Sequence, residues 1–307
     1  DHGVDPITPA SVVVIDEVGM VGTRQLSRVV AKLTELNCKV VLVGDPEQLQ
    51  PIQAGTPFRD LLTLHDHAKL TEVRRQKKDW QRKATQQLAC GDVRSALDSY
   101  KAQGRVKEHA STANAVDALV ADYLKDAKTD PDHRKRLALA HRRKDVFALN
   151  QRIRAGLIEN EPASSEIMVE CDNGPRAFAV GDRVLFTRND QTLGVRNGML
   201  GTVEKLKGGA LNVTIDDQSR AVTVDTKKYR SLDHGYAVSI HKSQGCTVDR
   251  TFVLGGPTMD KHLTYVAMSR HRGGMKLYST PRFNPERVRD FDLQTQANAE
   301  QRAYRIQ

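Results

Sequence analysis

Asp16 and Glu17 follow directly on the β-branched run Val12-Val13-Val14-Ile15. Two carboxylates at the carboxyl end of a buried strand can divide the work of hydrolysis, Asp16 holding Mg²⁺, directly or through water, while Glu17 orients and deprotonates a water. A strand end capped by a solvated acid reads the same way. Gly44-Asp45-Pro46-Glu47-Gln48-Leu49 closes a second apolar run. There Gln48 could hydrogen-bond a γ-phosphate or the attacking water, with Asp45 touching the Mg²⁺ shell or holding the loop. A plain Gly-Asp-Pro turn fits those residues equally well. Leu70 to Gln76, LTEVRRQ, ends in paired arginines that either meet phosphate from a strand end or form a solvated basic loop. Tyr236 to Gly245, YAVSIHKSQG, gathers Ser239, His241, Lys242, Ser243, Gln244 and Gly245 in one loop able to hold a phosphodiester backbone. Leu263 to Arg272, LTYVAMSRHR, puts Arg270 at the end of an apolar face, and an arginine brought by one domain to a γ-phosphate on another is worth roughly 10³ to 10⁵ in rate. His65 and His67 have metal-ligand spacing, but no third ligand accompanies them and a solvated loop explains the pair.

The elements that must position these groups follow from periodicity. Val12 to Ile15, apolar on both faces, predicts a central strand of a parallel sheet covered on either side. Thr23 as N-cap and Leu26, Val29, Val30, Leu33 and Leu36 predict a helix, and Lys39 to Val43 a second strand. That is a right-handed βαβ unit with both polar ends on one edge, where open α/β sheets bind ligands. Trp80 to Tyr100 predicts a helix pair closing this first domain. From about Arg105 a second domain begins, with a helix through Val116, Leu119, Val120, Tyr123, Leu124 and Ala127, a surface loop from Thr129 to Arg136, and a core strand from Arg136 to Ala140. The helix after it carries Val146, Leu149, Ile153 and Leu157. Composition changes near Pro162. Short alternating strands then run over Ala179 to Arg188, Gly201 to Leu206, Ala210 to Ile215 and Ala221 to Val224, separated by Asn197-Gly198, Gly208-Gly209 and Asp216-Asp217. These turn signals predict a small inserted barrel. Its Arg183, Arg188, Arg196, Lys205, Lys207, Lys227, Lys228 and Arg230 suit either a nucleic-acid backbone or simple solubility. A further strand spans Thr251 to Leu254, and Pro285 to Gln307 reads as a frayed helix or polar tail.

A chain of 307 residues exceeds one core and predicts two or three domains. The 39% apolar fraction contains no run of transmembrane length, and no signal peptide is visible, so a cytoplasmic protein without a membrane partner is expected. Lys and Arg outnumber Asp and Glu by 47 to 38, a net +9 that fits a polyanionic partner. Cys38, Cys90, Cys171 and Cys246 stand far apart, which indicates neither a zinc module nor a disulfide framework. A start at Asp1, close to the first strand, is what a cropped piece of a longer protein would show.

In this order, IDEVGM, GDPEQLQPI, LTEVRRQ, YAVSIHKSQG and YVAMSRHR resemble motifs II to VI of superfamily 1 helicases. The likeness is strongest to the RecD-like branch, superfamily 1B, and within it to the helicase part of conjugative transfer relaxases of the TraA and TraI kind. FTRND and GVRNGMLGTV resemble that branch's inserted SH3-like barrel, 2B. The resemblance implies an α/β fold of RecA-like P-loop NTPase domains, the first incomplete: residues 1–104 as the C-terminal part of domain 1A, 105–177 and 233–284 as domain 2A, 178–232 as the barrel and 285–307 as a tail. It further implies ATP and Mg²⁺ as cofactors, Asp16 as Mg²⁺ ligand and Glu17 as catalytic base. Gln48 would be the γ-phosphate sensor, with Asp45 and Gly245 beside the nucleotide. Arg75, with Arg74 as the other choice, and Arg270 would be the γ-phosphate arginines. Ser239, His241, Lys242, Ser243 and Gln244 would contact single-stranded DNA, along which the family moves 5′ to 3′.

The family also needs GxxxxGK[ST] upstream of Asp16, and no Gly-Lys dipeptide occurs in the sequence. The expectation is therefore a fragment that alone neither binds ATP tightly nor hydrolyses it. Its partner would be the N-terminal remainder of the same protein, carrying the Walker A half and a relaxase domain. Relaxase chemistry itself is not expected here, because the ten histidines are scattered. The rival readings are a non-hydrolysing module that binds single-stranded DNA and recruits a relaxase, and an RNA-directed superfamily 1 helicase.

Overall fold

The computed structural model describes residues 7–51, 55–160, 165–216, 218 and 220–286. Strand β1 (Val12–Ile15), helix α1 (Thr23–Glu35) and strand β2 (Lys39–Leu42) form a parallel βαβ unit with Val12 opposite Lys39 and Ile15 opposite Leu42. Helix α2 (Pro57–Leu64) completes it, and Val18, Leu26 and Phe58 are the buried centre of its small core. Two expectations fail here. Gly22, not Thr23, is the N-cap of α1, with Thr23 already helical. Val12 and Val14 are 57% and 60% exposed, so β1 is covered on one face only, because α1 and α2 lie on the side of Val13 and Ile15.

No regular element spans 66–78, so of the two readings of Leu70 to Gln76 the structure has the loop; Leu70 is 97% exposed. Helices α3 (Asp79–Ala89) and α4 (Val93–Ala102) follow, then β3 (Val106–Glu108), α5 (Thr112–Thr129), β4 (Arg136–Ala140) and α6 (Arg143–Asn160). Next come β5 (Glu166–Cys171), β6 (Gly174–Ala179), β7 (Arg183–Phe186), β8 (Leu200–Lys207), β9 (Ala210–Ile215), β10 (Ala221–Asp225) and β11 (Leu232–His234). The chain ends in β12 (Ala237–Ser239), β13 (Val248–Leu254), α7 (Lys261–Ser269) and β14 (His271–Ser279).

The central sheet runs β12-β4-β13-β14-β3, every pair parallel. Its strands are apolar in both phases because both faces are covered. Leu137, Leu139, Val238, Val253 and Leu277 join one core, while Ala138, Ala140, Ala237, Phe252 and Tyr278 join the other. Helices α5 and α6 supply the second core through Val116, Leu119, Tyr123, Leu149 and Ile153. The first core is closed by α7 together with Ala84, Leu88, Val93, Ala96, Leu97 and Tyr100. The helix pair α3–α4, expected to close the first domain, thus packs on the second sheet, and the contents of 1–104 do not form one core. Their apolar stripes find a larger hydrophobic surface there than the first unit offers.

Strands β7 to β11 make an antiparallel sheet of order β10-β9-β8-β7-β11, and the hairpin β5–β6 adds Val169, Cys171 and Phe178 to its core. At Gly201 a Cβ would lie 2.5 Å from Val213 and 2.7 Å from the Thr214 carbonyl, so only glycine lets β8 and β9 meet there. The expected strand Ala179 to Arg188 is split at Gly181, which has φ 89°. The expected surface loop ends in Arg136, which is buried: its Nε donates to Asp126 at 2.7 Å and its guanidinium lies over the Tyr123 ring. Pro162, Asp217 and all but the first two residues of the predicted 285–307 tail lie outside the described residues. Among the described residues, no helix is long and apolar enough to cross a membrane.

Candidate functional site

The carboxyl end of β1 turns sharply. Asp16 Oδ1 accepts from the Glu17 amide at 2.8 Å, and Glu17 takes a left-handed backbone with φ 53°. A non-glycine residue held there carries local strain of the kind that clusters at functional sites. The turn is pinned to β2: the Val18 amide donates to the Val43 carbonyl at 3.0 Å, and a Cβ on Gly19 would lie 3.1 Å from the Asp45 carbonyl. Glu17 therefore lies within electrostatic reach of Asp45 in the 45–48 loop. Its carboxyl pKa is raised above the ordinary 4.5, first by partial burial and then by the Asp16 carboxylate; Arg270 pulls it back, Asp45 pushes it up and Arg75 opposes that.

Asp45 organises the loop after β2. Its Oδ1 accepts from the Glu47 amide at 3.0 Å, and its Oδ2 accepts from Gln48 Nε2 at 3.0 Å and from the Tyr265 hydroxyl at 2.8 Å. Tyr265 belongs to α7, so this carboxylate ties the first unit to the second. Gln48 Oε1 in turn accepts from Arg270 Nη2 at 3.3 Å. Arg270, 2% exposed at the end of α7, also donates from Nε to the Val266 carbonyl and from Nη2 to Ser269 Oγ. Arg75 Nη1 donates to the Ser269 carbonyl at 3.0 Å, and Gln76, 1% exposed, donates to the carbonyls of Ser269 and His271.

Glu17, Asp45, Gln48, Arg75 and Arg270 therefore converge on one cleft, and Asp16 borders it. Burial pulls the Arg270 pKa down to about 10, the Arg75 charge adding to the effect. Arg75 is lowered too, through burial. Two desolvated guanidinium groups side by side are what an anion of high charge would stabilise. Arg74 is the less suited of the pair: it is exposed and ion-paired with Glu72 at 2.7 Å. Asp16 is exposed and offers hard carboxylate oxygens, a donor set that suits Mg²⁺ held by one carboxylate and by ligand phosphates. Among the described residues, no group of three His, Cys, Asp or Glu could hold a metal by itself, and His65 and His67 are exposed.

The loop after β12 starts with a 3-10 turn over His241–Ser243. Ser239 Oγ accepts from the Lys242 amide at 3.3 Å, shaping the turn. The Lys242 pKa is lowered by burial, with Asp233 opposing. The His241 ring lies 5.6 Å from that of His141, at the end of β4. Gln244 is partly buried and its Oε1 has no protein partner among the described residues. Gly245, exposed with φ 77°, leads to the partly buried Cys246. Ser243 is the exception to the predicted nucleic-acid set: it is fully buried and its hydroxyl donates to the Ile240 carbonyl at 2.8 Å, so it shapes the loop from within. Tyr265, His262, Arg59 and Gln76 escaped the sequence reading. Tyr265 was read only as apolar face, although its hydroxyl was a signal that one end must find a polar partner.

An AAA domain profile matches residues 2–111. Over 280 residues, 91% of the chain, the sequence is 42% identical to the conjugal transfer protein TraA of Agrobacterium fabrum. It is 28% identical over 277 residues to the ATP-dependent RecD2 DNA helicase of Deinococcus radiodurans. The chain belongs to the RecD-like branch of the superfamily 1 helicases. This RecD-like chain spans only about a quarter of the TraA relative (25%) and 36% of the RecD2 helicase. Its fold is shared with Pif1 helicases: that of Candida albicans aligns with a TM-score of 0.62 at 18% identity, covering 94% of this chain and 76% of the other. A Bacteroides Pif1 helicase in complex with ADP-AlF3 and single-stranded DNA aligns with a TM-score of 0.61 at 20% identity, covering 94% and 75%. The α/β architecture of the RecD-like chain is thus that of RecA-like helicases.

Proposed function

We propose that this chain is part of an ATP-driven helicase that moves 5′ to 3′ along single-stranded DNA during conjugative transfer. The observation carrying the reading is the convergence of Glu17, Gln48, Arg75 and Arg270, from separate units, on one cleft. ATP, when bound, would supply the phosphoryl group to be cleaved, and Mg²⁺ held by Asp16 would offset its charge. Glu17, its basicity raised by its surroundings, takes the proton from the attacking water. Gln48 orients that water and senses the γ-phosphate, while Arg75 and Arg270 stabilise the charge that develops on it. Because Asp45 and Gln48 are bonded to Tyr265 and Arg270, a displacement of the 45–48 loop moves α7. The Ser239–Gly245 loop, one strand away, holds the DNA backbone through His241, Lys242 and Gln244.

The packing supports a first RecA-like unit ending near residue 64, a joining stretch over 65–78 and a second unit starting with α3. The antiparallel sheet β7–β11 is read as the SH3-like 2B module. Since no Gly-Lys occurs in the 307 residues, the phosphate-holding lysine must come from elsewhere, in the protein of which relatives such as TraA are longer examples. That observation also favours a second reading for the 307-residue chain alone, a module that binds DNA without hydrolysis.

The test is ATP turnover with and without single-stranded DNA. The 307-residue chain should bind DNA but not hydrolyse. A longer chain with an upstream phosphate loop should hydrolyse and lose at least about 10²-fold in rate on Glu17→Gln. Turnover by the 307-residue chain that vanishes with Glu17→Gln refutes its inactivity; full turnover by the longer Glu17→Gln protein refutes the role of the base.

A further inference from the structure

The 45–48 loop is held at a second point by two residues that lie outside the helicase motifs. Two successive carbonyls, those of Pro46 and Glu47, are gripped by side chains from two different helices. Arg59 on α2 donates Nε and Nη2 to the Pro46 carbonyl at 3.0 and 2.8 Å. His262 on α7, 2% exposed, lies with Nδ1 2.7 Å from the Glu47 carbonyl and Nε2 3.3 Å from Arg59 Nη2. A carbonyl can only accept and a guanidinium can only donate, so the contacts fix the ring: Nδ1 carries the proton and Nε2 offers its lone pair.

We propose that His262, as the neutral Nδ1–H tautomer, is a positioning residue that joins α2, the 46–48 loop and α7 into one catch holding the loop that carries Gln48. The other charges around the ring come from both sides. Glu47 faces it from the loop, 3.8 Å from Arg59 and 3.5 Å from Lys261. Lys261 and Asp260 flank it, Asp260 accepting from the Leu263 amide as cap of α7, and Asp45 and Tyr265 meet one turn further on. The functional meaning of the catch rests on the nucleotide-site reading, since the residue next to it is Gln48; the measurement below reads the joint itself.

Hydrogen–deuterium exchange of peptides covering 45–51 in the 307-residue chain, corrected for intrinsic rates, tests this. At pH 7, His262→Ala should lower the protection of these peptides about fivefold, the size of one lost hydrogen bond. His262→Gln, whose amide can donate to Glu47 and accept from Arg59, should keep it. Full protection in His262→Ala, or a loss in His262→Gln as large as that in His262→Ala, overturns the proposal. Should His262→Ala not fold, Arg59→Met decides: removing the guanidinium that holds the Pro46 carbonyl should lower the same protection, and unchanged protection overturns the catch.

Discussion

Glu17 pays for its position with its own charge. Burial and two neighbouring carboxylates raise its pKa, so the ionised form is held less well in the folded chain than in the unfolded one. A raised carboxyl pKa favours folding only while the group is protonated, and the advantage is lost as pH climbs through and above the ordinary 4.5. Glu17→Gln, a permanent mimic of the protonated acid, should therefore melt at a higher temperature than the native chain at pH 7, with the gap closing near pH 4. Equal melting temperatures at both values would show that the carboxylate is not strained. Asp16, Glu17, Gln48 and Arg270 were legible as chemistry because local runs place them at element ends. Tyr265 and His262 were not, since their partners Asp45 and Glu47 lie more than 200 positions away and no spacing rule reaches that far. Ser243 was misjudged for a related reason: whether a hydroxyl in a polar loop faces outward or toward the Ile240 carbonyl is decided by the fold, not by its neighbours.

Among the elements, the helix pair α3–α4 carries the main correction. Its apolar spacing was plain, but a stripe does not say which surface it covers. Packing assigns it to the central sheet, and the assignment can be read spectroscopically because the chain's single tryptophan, Trp80, lies on α3 with its ring 5.0 Å from that of Tyr100. Leu88→Ala, at a site 2% exposed, should cost about 2–5 kcal/mol. In urea titrations it should lower the midpoint reported by Trp80 fluorescence. Phe58→Ala, in the small first core, should leave that midpoint in place. The reverse pattern would return the helices to the first unit. Strands such as β4 and β9 were legible because apolar or alternating residues are bounded by polar turns. β14 was hidden by its opening Gly273-Gly274 pair, and β3, β5 and β6 by polar residues that the sheet tolerates once a partner strand supplies the hydrogen bonds. Over 70–76 the sequence left strand end and loop open, and the loop is what forms, since no neighbouring edge pairs with Leu70 and Val73.

At the scale of the whole molecule, a net charge of +9 says that a polyanion is welcome without saying where. Two surfaces compete. One is the Ser239–Gly245 loop, where Lys242 is partly desolvated and a phosphate would restore what burial removes. The other is the antiparallel sheet, with Lys205, Lys207, Lys227 and Lys228 exposed on β8 and beyond β10. The loop adjoins that module at one point, since a Cβ on Gly198 would lie 3.9 Å from the Lys242 carbonyl. Salt separates a contacting lysine from one that only keeps the protein soluble, because each neutralised phosphate of a single strand adds about 0.7 to the slope of log affinity against log salt. Lys242→Ala should lower that slope by about 0.7 in fluorescence-anisotropy titrations with oligo-dT. Replacing Lys205 and Lys207 with glutamine should lower it further if the strand crosses β8. A slope unchanged by Lys242→Ala would remove the loop from the DNA path. A slope that responds to Lys242 but not to Lys205 and Lys207 would confine the path to the loop, leaving the basic face of the sheet to solubility or to a different partner.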